Sequence, residues 1–288
     1  MDWPDDLILE LARKRCVLFL GSGISANAID KDGKHPPTWR KFLEEGNAKV
    51  GAPDNAVIKK CIDSYEYLMA CELLRKKLGD NEFDELLKNM FRGTGFEPAP
   101  IHEYVFKLDS RITITPNFDK IYDTYAQSKS RNTIVLKHYY DDDVVKYLRG
   151  RDSVIIKNHG TIDTTNKIIF TQADYARVRI ENSDFYKIME ALILTHTFIF
   201  LGAGLNDPDI KLLFENYATT FHVSKNHYFV IPNNTYSDLE LQVYKETMHL
   251  DFITYDPADN HKELSEGLKE LDAKVEDKKE EVKDKLWW

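Results

Sequence analysis

The fold of this chain is set by residues 16–25, CVLFLGSGIS. The first five, Cys16–Leu20, are consecutive apolar residues, which is typical of a strand buried on both faces of a parallel sheet. The glycine-containing turn at residues 21–25 follows directly and leads into a predicted helix. A buried strand, a glycine turn and a helix in this order open a βαβ unit. Residues 16–25 therefore predict a central strand of a parallel sheet.

Six further apolar runs of strand length occur along the chain, at residues 112–114, 133–136, 154–156, 198–201, 228–231 and 252–255. Segments of helical pattern separate several of them. Because parallel neighbours need a long crossover, usually a helix, this alternation indicates βαβ units. The predicted fold class is α/β, a doubly wound (Rossmann-like) parallel sheet with a helical insertion.

The insertion is predicted at residues 38–107, where only helical patterns occur. It would lie as a lid over the carboxyl edge of the sheet, where doubly wound folds bind their ligands. The sheet domain then comprises residues 1–37 and 108–260, and residues 261–288 form a C-terminal helix with a charged tail. Whether the terminal Trp287 and Trp288 fold back or anchor a partner stays open.

Composition narrows the class of protein. The 288 residues carry 39 Lys and Arg against 48 Asp and Glu, a net charge of −9, which disfavours nucleic acid as a partner. The three scattered cysteines cannot build a four-cysteine zinc module and favour a reducing compartment. The acidic start is unlike a signal peptide, and no apolar run reaches the ~18 residues of a membrane span. We expect a cytoplasmic chain with no membrane contact and no metal.

The turn after the first strand offers Gly21, Ser22, Gly23 and Ser25. Glycines at such a turn let backbone N–H groups approach a phosphate, and the following helix N-terminus adds positive dipole charge. We interpret it as a site for a dinucleotide pyrophosphate. The alternative is a tight strand-to-helix turn without a ligand.

The stretch TITPNFD follows the second predicted strand. Asn117 and Asp119 are two residues apart, so in extended backbone both face one pocket while Phe118 packs the other way. An amide and a carboxylate there can hold a sugar and an amide-bearing ring. The alternative is that Asn117 caps a helix starting near Asp119.

His159 follows the run at residues 154–156 and directly precedes a glycine, at a point where a side chain can project into a cleft. The unperturbed pKa of histidine suits a base near neutral pH. The alternative is a structural histidine satisfied by hydrogen bonds.

A second glycine turn, FLGAGLNDPD at residues 200–209, follows the fifth run. Its Gly202, Gly204 and Asn206 could receive an adenosine ribose or its phosphate, although a plain strand-turn-helix junction explains the pattern too. Asp207 and Pro208 suit a helix start. All four clusters follow predicted strands, so a parallel sheet brings them to one edge.

As an ordered set, these motifs resemble the sirtuin-like NAD hydrolases of bacterial anti-phage defence systems, over about residues 17–255. The resemblance implies an NAD+ glycohydrolase that releases nicotinamide and ADP-ribose, with NAD as substrate. It implies the following roles: Gly21, Ser22 and Ser25 in the phosphate turn, Asn117 on the reactive ribose and water, Asp119 on the nicotinamide carboxamide, His159 as the catalytic histidine, and Gly202, Gly204 and Asn206 on the adenosine side.

Three departures weaken the link to protein-deacylating sirtuins. Those proteins carry a glutamine at the position of Pro116, and they also carry an Asp-Phe-Arg segment after the glycine turn and a four-cysteine zinc module, both of which this chain lacks. Deacylation and a catalytically silent NAD- or ADP-ribose-binding subunit nevertheless stay as alternatives. Because an unregulated NAD hydrolase would poison its own cell, the resemblance also implies assembly as a homo-oligomer or with a partner, such as an ATPase or sensor encoded nearby.

Overall fold

A computed structural model describes residues 1–92, 95–205, 207–221 and 225–283. Within these residues seven strands form one sheet: β1 Cys16–Leu20, β2 Ile112–Thr115, β3 Val135–His138, β4 Val154–Lys157, β5 Thr197–Leu201, β6 His227–Pro232 and β7 Leu250–Tyr255. Their order is β3-β4-β2-β1-β5-β6-β7, and every neighbouring pair is parallel. The predicted Rossmann-like parallel sheet is confirmed, with each of the seven apolar runs contributing a strand.

The central strand is β1, whose five residues are all buried. It pairs with β2 through Val17 and Ile112 on one side, and with β5 through Val17 and Phe198 on the other. From β1 the chain adds β2 on one side, then β3 at the edge and β4 between β2 and β3, and it returns to the other side of β1 with β5. The carboxyl ends of β1 and β5 therefore form the topological switch point, where such sheets bind ligands.

The helices are α1 Asp5–Ala12, α2 Ser22–Ser25, α3 Trp39–Asn47, α4 Asp54–Asp63, α5 Tyr67–Leu78, α6 Asp80–Phe91, α7 Pro100–Lys107, α8 Ile121–Lys129, α9 Val144–Arg149, α10 Gln172–Glu181, α11 Ser183–Thr195, α12 Pro208–Thr220, α13 Asp238–Met248 and α14 Ala258–Val282. Alternate strand residues enter two hydrophobic clusters. Leu18 packs with Leu7 and Leu268 on one face, whereas Phe19 packs with Phe214 on the other. The sheet is thus covered on both faces, as parallel sheets require.

Six helices, α2–α7, lie between β1 and β2. Four of them, α3–α6, share a third hydrophobic cluster, built on Phe42, Leu74 and Phe83. By contrast, Ile101 and Val105 of α7 pack into the cluster on the face of the sheet that α1 and α14 cover. The division at residues 38–107 stays a prediction, but α7 within it contributes to the core of the sheet.

The C-terminal helix packs as its leucine spacing predicted: Leu264, Leu268, Leu271 and Val275 are all buried. Its packing partners include α1 and α7. Trp287 and Trp288 lie outside the described residues. Across the described ranges, none of the helices combines the length and the apolar character that crossing a bilayer requires.

Acid sensitivity of the fold is expected at His227, which opens β6 and is 2% exposed. Its Nδ1 accepts the Phe198 N–H, and burial lowers its pKa to about 3. Below about pH 6.5 the unfolded chain binds a proton at this residue and the folded chain does not, so stability is complete above that pH and is lost as pH falls towards 3. From about pH 7.5 to about pH 5 the loss is about 2 kcal/mol.

The His227→Leu variant tests this expectation. It is less stable at neutral pH because the Phe198 N–H loses its acceptor, but its stability should fall by about 2 kcal/mol less over the same pH range. Urea unfolding of the wild type, His227→Leu and the exposed-residue control His35→Gln measures the difference. An equal acid-induced loss in all three proteins would contradict the assignment.

Candidate functional site

The two glycine turns, one after β1 and the other after β5, lie directly against each other. The Gly21 N–H donates to the Leu201 carbonyl at 2.9 Å, and the Gly23 N–H donates to the Gly202 carbonyl at 2.8 Å. A Cβ at Gly21 would lie 2.4 Å from the Ala203 Cα, and one at Gly23 would lie 2.9 Å from the Gly202 Cα. The glycines are therefore needed for contact between the β1 and β5 loops. The N–H groups of Gly21 and Gly23 are used in that contact. The sequence had instead suggested that these groups face a phosphate.

A steric prediction follows from this packing. The Gly21→Ala variant should unfold about 1–3 kcal/mol more easily, because the new methyl group meets backbone atoms that cannot turn away. Gly204→Ala is the matched control: Gly204 is exposed and a Cβ there meets nothing within 4 Å, so its stability should change by less than about 0.5 kcal/mol. Thermal and urea unfolding compare them, and equal losses in both variants would refute the steric explanation.

Asn117 joins the β2 loop to the β1 loop. Its Nδ2 donates to the Gly21 carbonyl at 2.9 Å and to Ser25 Oγ at 3.0 Å, while Ser25 is 4% exposed. Thr115 Oγ1 accepts the Asn117 N–H and donates to the Leu20 carbonyl. The Asn117 amide is thus held in one orientation over the carboxyl end of β1.

Asp119, and not Asn117, makes the side-chain contact at the start of the following helix. Its Oδ1 accepts the Ile121 N–H at 3.0 Å, at the start of α8. Between them, Phe118 turns to the α3–α6 cluster, with its ring 4.8 Å from Phe91 and 5.4 Å from Phe170. Phe118, which lies between Asn117 and Asp119 in the chain, therefore packs this loop against the helices between β1 and β2.

A buried ion pair lies beneath this loop. Lys157, 1% exposed at the end of β4, has its Nζ 3.5 Å from Asp123 Oδ2 and donates to the Asp119 carbonyl. Burial raises the pKa of the Asp123 carboxyl, and the Lys157 ammonium opposes that shift. The only sequence signal for this pair was a lysine ending an otherwise apolar run.

His159 lies in the β4 loop with its side chain 8% exposed. Its Nε2 is 3.3 Å from Asp207 Oδ2, a contact that does not reach hydrogen-bond geometry. The Tyr175 ring stands edge-on to the imidazole at 5.3 Å, and the Tyr175 hydroxyl donates to the same Asp207 oxygen at 3.3 Å. Asp207, interpreted from sequence only as a helix start, is therefore also the carboxylate beside the predicted catalytic histidine.

His159, Asp207 and Asp209 each bring a ligand-type atom within 4.8 Å of the others, which is close enough for a cation. Asp209, however, accepts hydrogen bonds at 2.6 Å from both Arg179 and Tyr186. The Arg179 guanidinium supplies the positive charge that a metal would bring. The donor set therefore fits a charge-paired network better than a metal site, and the absence of metal stays a prediction.

The four predicted loops form a closed ring of contacts. The β1 loop meets the β2 loop through Asn117 and the β5 loop through the glycines. The β2 and β4 loops are joined by two backbone bonds, from the Asn158 N–H to Thr115 and from the Ile162 N–H to Phe118. The β4 and β5 loops meet at His159 and Asp207. Gly202 takes part in this ring, and Gly204 lies exposed in the same β5 loop, whereas Asn206 is outside the described residues.

Two clefts lie at the other edge of the sheet. One of about 350 Å³ is lined by residues such as Ser110, Thr133 and Ser153, near the amino ends of β2, β3 and β4. The second, of about 250 Å³, is lined by Glu10, Lys225 and Asp251 among others. The residues that line these clefts include none of the ring residues. We place the candidate site at the carboxyl edge because the polar side chains and the contacts between the loops lie there.

Comparison with known proteins agrees with this architecture. A family model described as a SIR2-like domain matches residues 111–253. The defence-associated sirtuin 2 of Bacillus subtilis is 26% identical over 202 residues, covering 69% of this chain and 19% of that protein. Two proteins named NAD(+) hydrolase ThsA are also similar: that of Acinetobacter baumannii is 23% identical over 79% of this chain, and that of Bacillus cereus 19% identical over 95%. The chain spans 44% and 57% of their lengths.

Proposed function

We propose that this chain, whose residues 111–253 form a SIR2-like domain, hydrolyses NAD+ to nicotinamide and ADP-ribose. The observation that carries the proposal is the ring of contacts at the carboxyl edge. It brings an amide, a carboxylate and an imidazole, from Asn117, Asp119 and His159, onto neighbouring loops at the switch point of the sheet. The names of the similar proteins, two of which are NAD(+) hydrolases, support the same chemistry.

The bond to be broken joins the nicotinamide nitrogen to C1′ of its ribose. Because the leaving group is already a cationic pyridinium, departure needs no strong acid, and nicotinamide leaves with the bonding electron pair. Water then adds to C1′ of the oxocarbenium-like sugar and gives up one proton, so that NAD+ and water yield nicotinamide, ADP-ribose and H+. The protein must orient the ribose and that water, and stabilise the developing charge.

Each predicted residue has a role in this scheme. Asn117, already fixed by Gly21 and Ser25, orients the ribose and the water, while His159 accepts a proton from the water or from a ribose hydroxyl. Asp119 holds the nicotinamide carboxamide. We assign the phosphates to the turn at residues 21–25, through groups other than the Gly21 and Gly23 N–H groups, which the β5 loop engages. The adenosine is assigned to the β5 loop that contains Gly202 and Gly204.

A product assay tests the proposal. The purified chain is incubated with NAD+, and the products are separated by chromatography beside an Asn117→Ala variant. We expect nicotinamide and ADP-ribose in equal amounts from the wild type, and at least about a 10²-fold slower release from the variant. NAD+ consumed only when an acylated peptide is present would instead identify a deacylase. NAD+ that is bound but not cleaved, even when the chain is assembled with its partner, would identify a silent binding subunit.

We assign the activity to anti-phage defence by NAD depletion, in line with the name of the Bacillus subtilis relative. The helices between β1 and β2 are the proposed regulatory element, because Phe118 ties them to the loop of Asn117 and Asp119. Self-association or a partner protein, such as an ATPase or sensor, would act through that contact.

A further inference from the structure

We propose that Asp207 is a positioning residue that fixes the orientation and the tautomer of the His159 imidazole. The inference deepens the proposed function and rests on it for its kinetic readout, whereas its spectroscopic readout does not depend on turnover. It begins from the placement of the two residues. His159 follows β4 and Asp207 follows β5, two strands that are separated in the sheet by β2 and β1, and their side chains still meet at 3.3 Å.

The Asp207 carboxylate cannot rotate freely, because its other oxygen caps α12. Asp207 Oδ1 accepts the N–H groups of Asp209 at 2.9 Å and of Ile210 at 3.2 Å. These two bonds direct Oδ2 towards His159 Nε2 and the Tyr175 hydroxyl. The helix start and the histidine therefore share one carboxylate, with one oxygen for each.

Asp207 is the carboxylate available to His159, because the neighbouring carboxylate of Asp209 is already paired with other side chains. Asp209, the nearest other carboxylate, is 6% exposed and is bonded to Arg179 and Tyr186. With Asp209 neutralised by Arg179, repulsion between the two carboxylates is relieved. Tyr175 closes the remaining side, with its ring against the imidazole and its hydroxyl on Asp207.

A carboxylate has no proton to give, so the imidazole nitrogen that faces it carries one. With Nε2 protonated towards Asp207, the lone pair of the neutral ring lies on Nδ1, which is then the nitrogen that accepts a proton during turnover. The 3.3 Å contact is long for a hydrogen bond, and such contacts commonly tighten when substrate binds.

The Asp207→Asn variant separates this role from helix capping. The cap requires an oxygen at the Oδ1 position, since both of its partners are N–H donors. The amide therefore keeps its oxygen at the cap and turns its NH2 group towards His159 Nε2. A donor there favours the tautomer protonated on Nδ1, which removes the base while the fold is preserved.

The first measurement is the ¹⁵N spectrum of the ring nitrogens in histidine-labelled protein, with the His159 signals assigned from a His159→Gln variant. We expect neutral His159 to carry its proton on Nε2 in the wild type and on Nδ1 in Asp207→Asn. A wild-type ring protonated on Nδ1, or the same tautomer in both proteins, would overturn the proposal.

The second measurement is the steady-state kinetics of NAD+ cleavage. Asp207→Asn should lower kcat by at least about 10- to 100-fold and leave KM for NAD+ within about threefold. Ser237→Ala is the capping control, because Ser237 is exposed and its hydroxyl caps α13 through bonds with Glu240 alone, so its loss should leave kcat unchanged. A lower activity due wholly to a raised KM would contradict the positioning role. If the tautomer inverts as expected but no form of the protein cleaves NAD+, the His159–Asp207 pair stands and the proposed function fails.

Discussion

The His159→Ala variant is expected to lose about 10²- to 10⁴-fold in the rate of NAD+ hydrolysis while still binding NAD+. In the proposed mechanism, the imidazole accepts the proton that is released when water adds to C1′. The hydrogen bonds from Asn117 to Gly21 and Ser25, which shape the proposed nucleotide site, do not involve it. Turnover followed by nicotinamide release, and affinity followed by calorimetry, separate the two effects.

The control for this variant is His35→Ala, which removes an exposed histidine. It should keep wild-type turnover. Retention of more than about a tenth of wild-type hydrolysis by His159→Ala would refute the role of base, since loss of a positioned base costs far more. Loss of NAD+ binding together with turnover would instead place His159 in the nucleotide site.

The Lys157→Met variant is expected to lose about 3–5 kcal/mol of stability, because it leaves the Asp123 carboxylate buried without its partner. For a chain of this size that corresponds to a melting temperature lower by roughly 6–20 °C. Burial already raises the pKa of Asp123, and without Lys157 that pKa rises further. The loss should therefore be smaller at acidic pH, where Asp123 takes up a proton.

Two comparisons make this test specific. The double variant Lys157→Met with Asp123→Leu removes both charges and should recover most of the stability. Lys187→Met breaks an exposed pair with Asp184 and should change stability by less than about 0.5 kcal/mol. Urea unfolding at neutral and acidic pH measures all three. A loss below about 1 kcal/mol in Lys157→Met would show that the pair contributes little.

The sheet was predictable because local pattern and burial coincide in it. Each strand overlaps one of the apolar runs, and the five-residue run of β1 is buried along its whole length. The same logic located the loops of Asn117 and His159, since polar residues after parallel strands must share an edge. The sequence predicted least well what the N–H groups of Gly21 and Gly23 bind. Whether a glycine amide faces a phosphate or another loop depends on how close β1 and β5 approach, which no local pattern encodes.

The pairing of His159 with Asp207 was also beyond the sequence. The two residues are 48 positions apart (207 − 159), and they follow strands that are not neighbours in the sheet. In the sequence, Asp207 is fully explained as the cap of a helix. Nothing in the local pattern indicated that its other carboxylate oxygen would face a histidine. The buried pair of Lys157 and Asp123 was missed for a related reason, because an isolated lysine at a strand end is usually exposed.

The most direct test of the proposed site is the crystal structure of the His159→Ala variant soaked with NAD+, which this variant should bind and cleave only slowly. We expect the nicotinamide ribose beside Asn117 and the vacated position of residue 159, with the phosphates along the turn at residues 21–25. NAD+ bound elsewhere, or with its nicotinamide ribose remote from Asn117, would contradict it.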